Sequence, residues 1–90
     1  MATVFIPSVL RTYSDGLDHV EVPGRTLRQI FANLEAMHPA LKGQIIDVED
    51  ADIRAGLAIV VDNEVTGMGL IQPVEEDSEI RILPAISGGV

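Results

Sequence analysis

Gly88 and Gly89, followed by Val90, are the residues whose type and spacing hold the most chemistry in this chain. Glycine has no Cβ, so a Gly-Gly segment adopts backbone conformations closed to other residues and can thread a narrow channel. Such a tail suits a main-chain carboxylate that must reach into another protein's active site. The remaining candidates assemble into nothing comparable. His19 and His38 fall in different elements without a ligand-spaced companion, which argues against zinc. Ser8, Ser14, Ser78 and Ser87 belong to no nucleophile motif. Glu75, Glu76, Asp77 and Glu79 could mimic a carboxylate pair for acid/base work, but the run reads as a solvated acidic turn. Gly67-x-Gly69 lacks the third glycine and the following helix of a dinucleotide site. There is no cysteine, so disulfides, thiolate metal sites and a cysteine nucleophile are excluded.

Composition narrows the partners. Ninety residues make one small domain, and 47% hydrophobic content excludes a disordered chain. A formal charge of −8 would repel nucleic-acid phosphate, and no basic stripe or aromatic platform offsets it. The acidity predicts a basic docking surface on a partner, with association that weakens as salt rises. Met1 to Pro7 lacks the basic n-region of a signal peptide, and no apolar run approaches the ~20 residues that span a bilayer. The expectation is a soluble, cytoplasmic protein that binds neither nucleic acid nor membrane.

The elements that must position the glycine pair follow from periodicity. Thr3 to Ile6, closed by Pro7, reads as a first strand. Asp18 to Val22 alternates polar and apolar as a half-buried second strand. Ser14-Asp15-Gly16 turns the chain between them, so the two form a hairpin with Ser8 to Leu17 as connection. Pro23-Gly24 breaks the strand and Thr26 opens a helix. Thr26 and Gln29 have the form of a capping box, each side chain bonding the other's backbone N–H. Leu27, Ile30, Phe31, Leu34 and Met37 make the stripe of a helix lying on a sheet, and His38-Pro39 stops it. Ala40 to Ile46 reads as a short further turn of helix, and Asp47 to Asp52 as an acidic loop. Leu57 to Val61 has the near-continuous apolar pattern of a central strand. Asp62-Asn63-Glu64 turns, Thr66 to Gly69 is flexible and Pro73 to Ser78 is an acidic turn. Glu79 to Leu83 is the last strand, running directly into the tail. A hairpin, a crossing helix and further strands on one mixed sheet of four to five strands is the α+β arrangement of the ubiquitin-like β-grasp. Residues 1–84 form the domain and 85–90 the Gly-Gly tail.

Three stretches carry a family resemblance: Val4-Phe5-Ile6-Pro7-Ser8-Val9-Leu10-Arg11, the Thr26-Leu27 helix start, and Glu79 through Ile82-Leu83-Pro84-Ala85-Ile86-Ser87 to Gly88-Gly89. Over essentially its whole length the chain resembles the MoaD/ThiS family of ubiquitin-like sulfur carriers. The opening and the ending look most like the branch linked to cysteine synthase. The resemblance implies that an E1-like enzyme adenylates the carboxylate of Gly89 with ATP, and that sulfide or a persulfide then displaces AMP. A C-terminal thiocarboxylate results. The carrier binds no cofactor or metal and supplies no catalytic side chain; it is a protein co-substrate, or the small subunit of a synthase complex. Gly89 is the sulfur-bearing position and Gly88 keeps the approach narrow. Candidate partner contacts are Arg11, Pro84 and Ile86 with the acidic Glu76 and Glu79, although Arg11 reads equally as a solvated arginine at a strand exit. Implied acceptors are a PLP-dependent cysteine synthase or the large subunit of a molybdopterin synthase, with thiamin thiazole as another destination.

Val90 departs from the family pattern, whose active members end at the second glycine. A β-branched residue there is stiff and would crowd a channel shaped for glycine, so the chain reads as a precursor, as a form unable to accept sulfur, or as carrying a cloning remnant. For a precursor, the resemblance implies a JAMM-type metallopeptidase as processing partner. Two other functions compete: a ubiquitin-like modifier joined to targets through Gly89, and a β-grasp interaction module with an idle tail. Lys42 is the only lysine, which leaves little scope for chains of linked copies and disfavours the modifier.

Overall fold

A computed structural model describes residues 1–49 and 51–84. Ile86, Gly88, Gly89 and Val90, and with them the expected tail, lie outside the described residues. Strand β1 (Ala2–Phe5) pairs antiparallel with β2 (His19–Val22), Val4 opposite Val20. Helix α1 spans Leu27–Met37. Two very short strands, β3 (Ile46–Asp47) and β4 (Asp52–Ile53), pair only with each other. Then come β5 (Leu57–Val61), β6 (Glu64–Val65) and β7 (Glu79–Pro84). The main sheet has the order β2-β1-β7-β5-β6, with β7 parallel to β1 and antiparallel to β5. This is the mixed five-stranded β-grasp sheet that the sequence predicts.

Helix α1 forms where its caps and stripe dictate. Thr26 Oγ1 accepts the N–H of Gln29 at 3.3 Å, as a capping box requires. The reciprocal bond differs from expectation: Gln29 Oε1 accepts from Arg25 N–H at 2.8 Å, one residue before the cap. The reason lies in the neighbouring chain, since Thr26 forms a β-bridge with Pro73, and Leu27 N–H and Arg25 C=O bond to Gln72 and Val74. Gly24 lets the helix approach, because a Cβ there would stand 3.0 Å from the Ile30 backbone nitrogen.

Leu27, Ile30, Phe31 and Leu34 are buried together with Val4, Ile6, Val22, Ile59, Ile80 and Ile82 from the inner sheet face. Met37 does not join them; at 49% exposure it lies past the edge of the stripe. Ser8–Ser14 is a 3-10 helix rather than an open connection, fixed by buried Ser14, whose hydroxyl donates to Leu17 C=O at 2.9 Å. The expected helical turn after α1 is a 3-10 turn at Pro39–Leu41. The segment expected to be flexible is tied down instead: Thr66 Oγ1 donates to Gln72 Oε1 at 2.8 Å and accepts from Met68 N–H, before a 3-10 turn at Gly69–Ile71. Among the described residues no helix is long and apolar enough to cross a membrane.

Candidate functional site

Strand β7 carries the chain towards the glycine pair, and its place in the sheet decides where the tail begins. It is the middle strand. Phe5 stands opposite Arg81 on one side, and Ile59, Ala58 and Leu57 stand opposite Ile82, Leu83 and Pro84 on the other. Pairing with β5 persists to Pro84 while pairing with β1 ends at Arg81, so the chain leaves the sheet held on one flank and open on the other.

The start of β7 is clamped. Ser78, buried at 2% exposure, donates its hydroxyl to Asp62 Oδ2 at 2.7 Å and accepts Glu75 N–H at 2.9 Å. Asp62 Oδ1 accepts Glu79 N–H at 2.9 Å, while Asp62 N–H bonds back to Glu79 C=O. The Ser78 hydroxyl, and then the Glu79 N–H, hold the Asp62 carboxyl below its ordinary range. Hydrogen bonds to the charged form favour ionisation. The turn between β5 and β6 is thereby locked to β7 before the strand begins.

The far end is open. Beside the exit of β7 lies a shallow cleft of about 240 Å³ lined by Phe5, Pro7, Arg11, Asp18, Arg81 and Leu83, among others. Arg11 is oriented by Nε, which donates to Ile6 C=O at 3.1 Å. Arg81 lies over the Phe5 ring, its Cζ 4.3 Å from the centroid, in cation–π geometry. Its Nη2 also donates to Glu79 Oε1 at 3.3 Å. Phe5 packs against His19 with ring centroids 6.0 Å apart, and His19 Nδ1 lies 2.6 Å from Asp18 Oδ1. The hydrogen bond from His19 holds the Asp18 carboxyl below its ordinary value. These side chains belong to the face of the sheet that α1 leaves uncovered, because alternation sends Val4, Ile80 and Ile82 inward and Phe5, Arg81 and Leu83 outward.

Of the contacts expected from sequence, Arg11 lines this cleft and Pro84 ends β7, while the Glu79 side chain meets the cleft only through Arg81. Glu79 begins β7, about 17 Å of strand away from Pro84 at the usual rise, and Glu76 sits beyond it, 3.8 Å from the N-terminal amine. A larger cleft of about 480 Å³ between Met1, Pro23, Arg25 and Glu76 lies at that same remote end. Phe5 and Arg81 were not expected in the site, although the alternation of β1 and β7 already puts both on one face. His38, 3.4 Å from Asp15, has no part in it, and among the described residues no group of His, Asp or Glu could hold a metal.

A β-grasp domain with this strand order is of the ubiquitin-like class. The model of the ThiS family matches residues 4–89, and the chain belongs to that family. It is similar to the sulfur carrier protein CysO of Mycobacterium tuberculosis strain H37Rv, with 29% identity over 97% of both chains. The crystal structure of M. tuberculosis CysO superposes with a TM-score of 0.88 at 27% identity, covering 96% of this chain and all of the other. CysO from the Amycolatopsis orientalis BexX/CysO complex superposes with a TM-score of 0.87 at 32% identity, covering 99% of this chain and 100% of that one.

Proposed function

We propose that this chain is a sulfur carrier protein that works in the cytoplasm and bears its sulfur as a thiocarboxylate on Gly89. The observation that carries the reading is the full-length match to CysO carriers combined with a glycine pair directly beyond the middle strand. The tail is offered to an E1-like enzyme, where a carboxylate oxygen of Gly89 attacks the α-phosphorus of ATP and pyrophosphate leaves. Sulfide displaces AMP from the acyl carbon directly; a persulfide R–S–S⁻ does so to give an acyl disulfide, whose S–S bond a thiol then reduces, releasing the thiocarboxylate and a disulfide. The carrier contributes recognition and an unhindered approach, and its side chains move no proton.

Val90 follows Gly89, so the Gly89 carboxyl is engaged in a peptide bond and must be released by hydrolysis first. A metallopeptidase of the JAMM type fits this step. The sulfur acceptor we propose is a synthase of the PLP-dependent cysteine type. The existence of a BexX/CysO complex supports docking of such a carrier onto a protein partner. The test is intact mass after incubation with the activating enzyme, ATP and a sulfur source. The form ending at Gly89 should gain the mass difference between sulfur and oxygen. Covalent ladders on other proteins would favour a modifier instead, and an unchanged mass would sink the carrier reading.

A further inference from the structure

Charge beside the tail runs against the charge of the molecule. The chain carries −8 overall, yet two of its five arginines, Arg11 and Arg81, line the one cleft at the exit of β7. Both are held in advance, Arg11 through Ile6 C=O and Arg81 on the Phe5 ring. The acid in the cleft, Asp18, hydrogen-bonds His19 and is also drawn to Arg11, but it stands in solvent, where such attraction is weak and readily exchanged. Glu79, bonded to Arg81, is more than half exposed, and such surface pairs are weak and readily exchanged. Exposed Leu83 and half-buried Phe5 supply apolar surface in the same cleft.

We infer that this cleft docks a carboxylate side chain, set in apolar surroundings, of the enzyme that takes up the tail. The inference rests on the carrier reading and specifies the partner's surface. A guanidinium presents a planar fork that matches a carboxylate bidentately. Closing the apolar rim over the pair excludes water and strengthens the attraction. Five residues, up to about 18 Å of chain, separate Pro84 from the Gly89 carboxyl, so docking at the cleft and reaction at the carboxylate need not share one place.

Net charge and local charge make opposite predictions for one substitution. A chain attracted as a whole to a basic partner should load faster when Arg81→Glu makes it more acidic; a carboxylate-docking cleft should load slower. The measurement is kcat/KM for ATP–pyrophosphate exchange by the cognate activating enzyme, using the form ending at Gly89, which keeps every described residue. Arg81→Glu should lower kcat/KM by about tenfold or more, mainly through KM, as loss of a buried interfacial charge pair does. Arg28→Glu, the same charge change on exposed helix surface, should stay within about twofold of the parent, as expected for screened rim charges. Arg81→Gln, with circular dichroism melts of all variants, separates lost docking from lost folding and should lie between parent and Arg81→Glu. Loading of Arg81→Glu as fast as Arg28→Glu, with the parent active, would overturn the cleft proposal alone. A parent that is never loaded would overturn the carrier reading and this proposal with it.

Discussion

The two ends of β7 are built on opposite principles. At its start a polar cluster is closed on itself: Ser78 bonds Asp62 and Glu75, and Glu79 N–H bonds Asp62. At its exit the arginines keep donors to spare, and Leu83 is 45% exposed. One end fixes the register of the strand, and the other presents what that register delivers. A carrier needs both, because a tail that enters a narrow channel is useful only if its starting point does not wander.

Both ends rest on the layer between α1 and the sheet, so the largest effect should come from there. Phe31 is fully buried among Leu34, Ile80 and their neighbours. Phe31→Ala should cost about 3–5 kcal/mol. In so small a domain the two ends should melt together in one transition, followed by amide signals at Glu79 and Leu83. Separate transitions at these two positions would show that the ends do not share one cooperative core.

Next in size is the tail. Retaining Val90 should slow adenylation on the order of 10²-fold relative to the form ending at Gly89, since a misplacement of about 1 Å at a reacting group has that consequence. The extra residue moves the carboxylate by about 3.3–3.6 Å. ATP–pyrophosphate exchange on the two forms makes the comparison. Equal rates would show that the channel tolerates Val90 and that no trimming is needed.

Sequence and structure agree most closely where a pattern is long. The α1 stripe and the runs in β1, β2, β5 and β7 each repeat their period several times, and the parallel pairing of β1 with β7 follows from joining them in one β-grasp sheet. What escaped is short or non-local. Ile46-Asp47 and Asp52-Ile53 are strands of two residues each, too brief to show alternation, and they lie within what reads as an acidic loop. β6 is likewise two residues, entered through Asp62-Asn63 at φ of 50° and 73°. Both residues tolerate the left-handed region, but the pair lacks the glycine that usually announces a tight hairpin. The candidate site was half legible. Arg11 and the glycine pair stand out in the sequence, whereas Arg81 gains its role only by lying across from Phe5 on a parallel neighbour. Glu76 lies beyond the start of β7 beside the N-terminal amine, and Glu79, at that start, meets the cleft only through its bond to Arg81.

The clamp itself comes next. Ser78→Ala should cost about 0.5–1.5 kcal/mol, the net range for a lost hydrogen bond, because Glu75 N–H loses its acceptor and Asp62 a donor to water-accessible surroundings. The loss should appear in denaturant melts, while amide shifts around Phe5 and Leu83 change little. A perturbation that spread to the exit of β7 would mean that the two ends are less independent than their bonding indicates.

The smallest effect distinguishes two carboxylates with similar titration behaviour and different surroundings. Asp62 and Asp18 both ionise below their ordinary value of 3.8, Asp62 through Ser78 and Glu79 N–H, Asp18 through His19. A carboxyl whose folded pKa is depressed contributes stability that is present above the unfolded value. That contribution is lost as pH falls from there through the folded pKa. The window therefore opens just below pH 3.8 and extends downward. The donors to Asp62 are a nearly buried hydroxyl and a strand amide, which remain aimed at it at any pH. Asp18 and His19 both stand in solvent, where water replaces the pair readily. Acid destabilisation should thus be carried by Asp62 far more than by Asp18. Asp62→Asn keeps an acceptor and suits the positive φ, yet it should flatten the fall in stability below pH 4, whereas Asp18→Asn should leave that fall in place. Urea melts across this range decide the matter. If Asp18→Asn flattened the acid limb as much as Asp62→Asn, the exit of β7 would be as firmly bound by its own charges as the start, and the contrast between the two ends would fail.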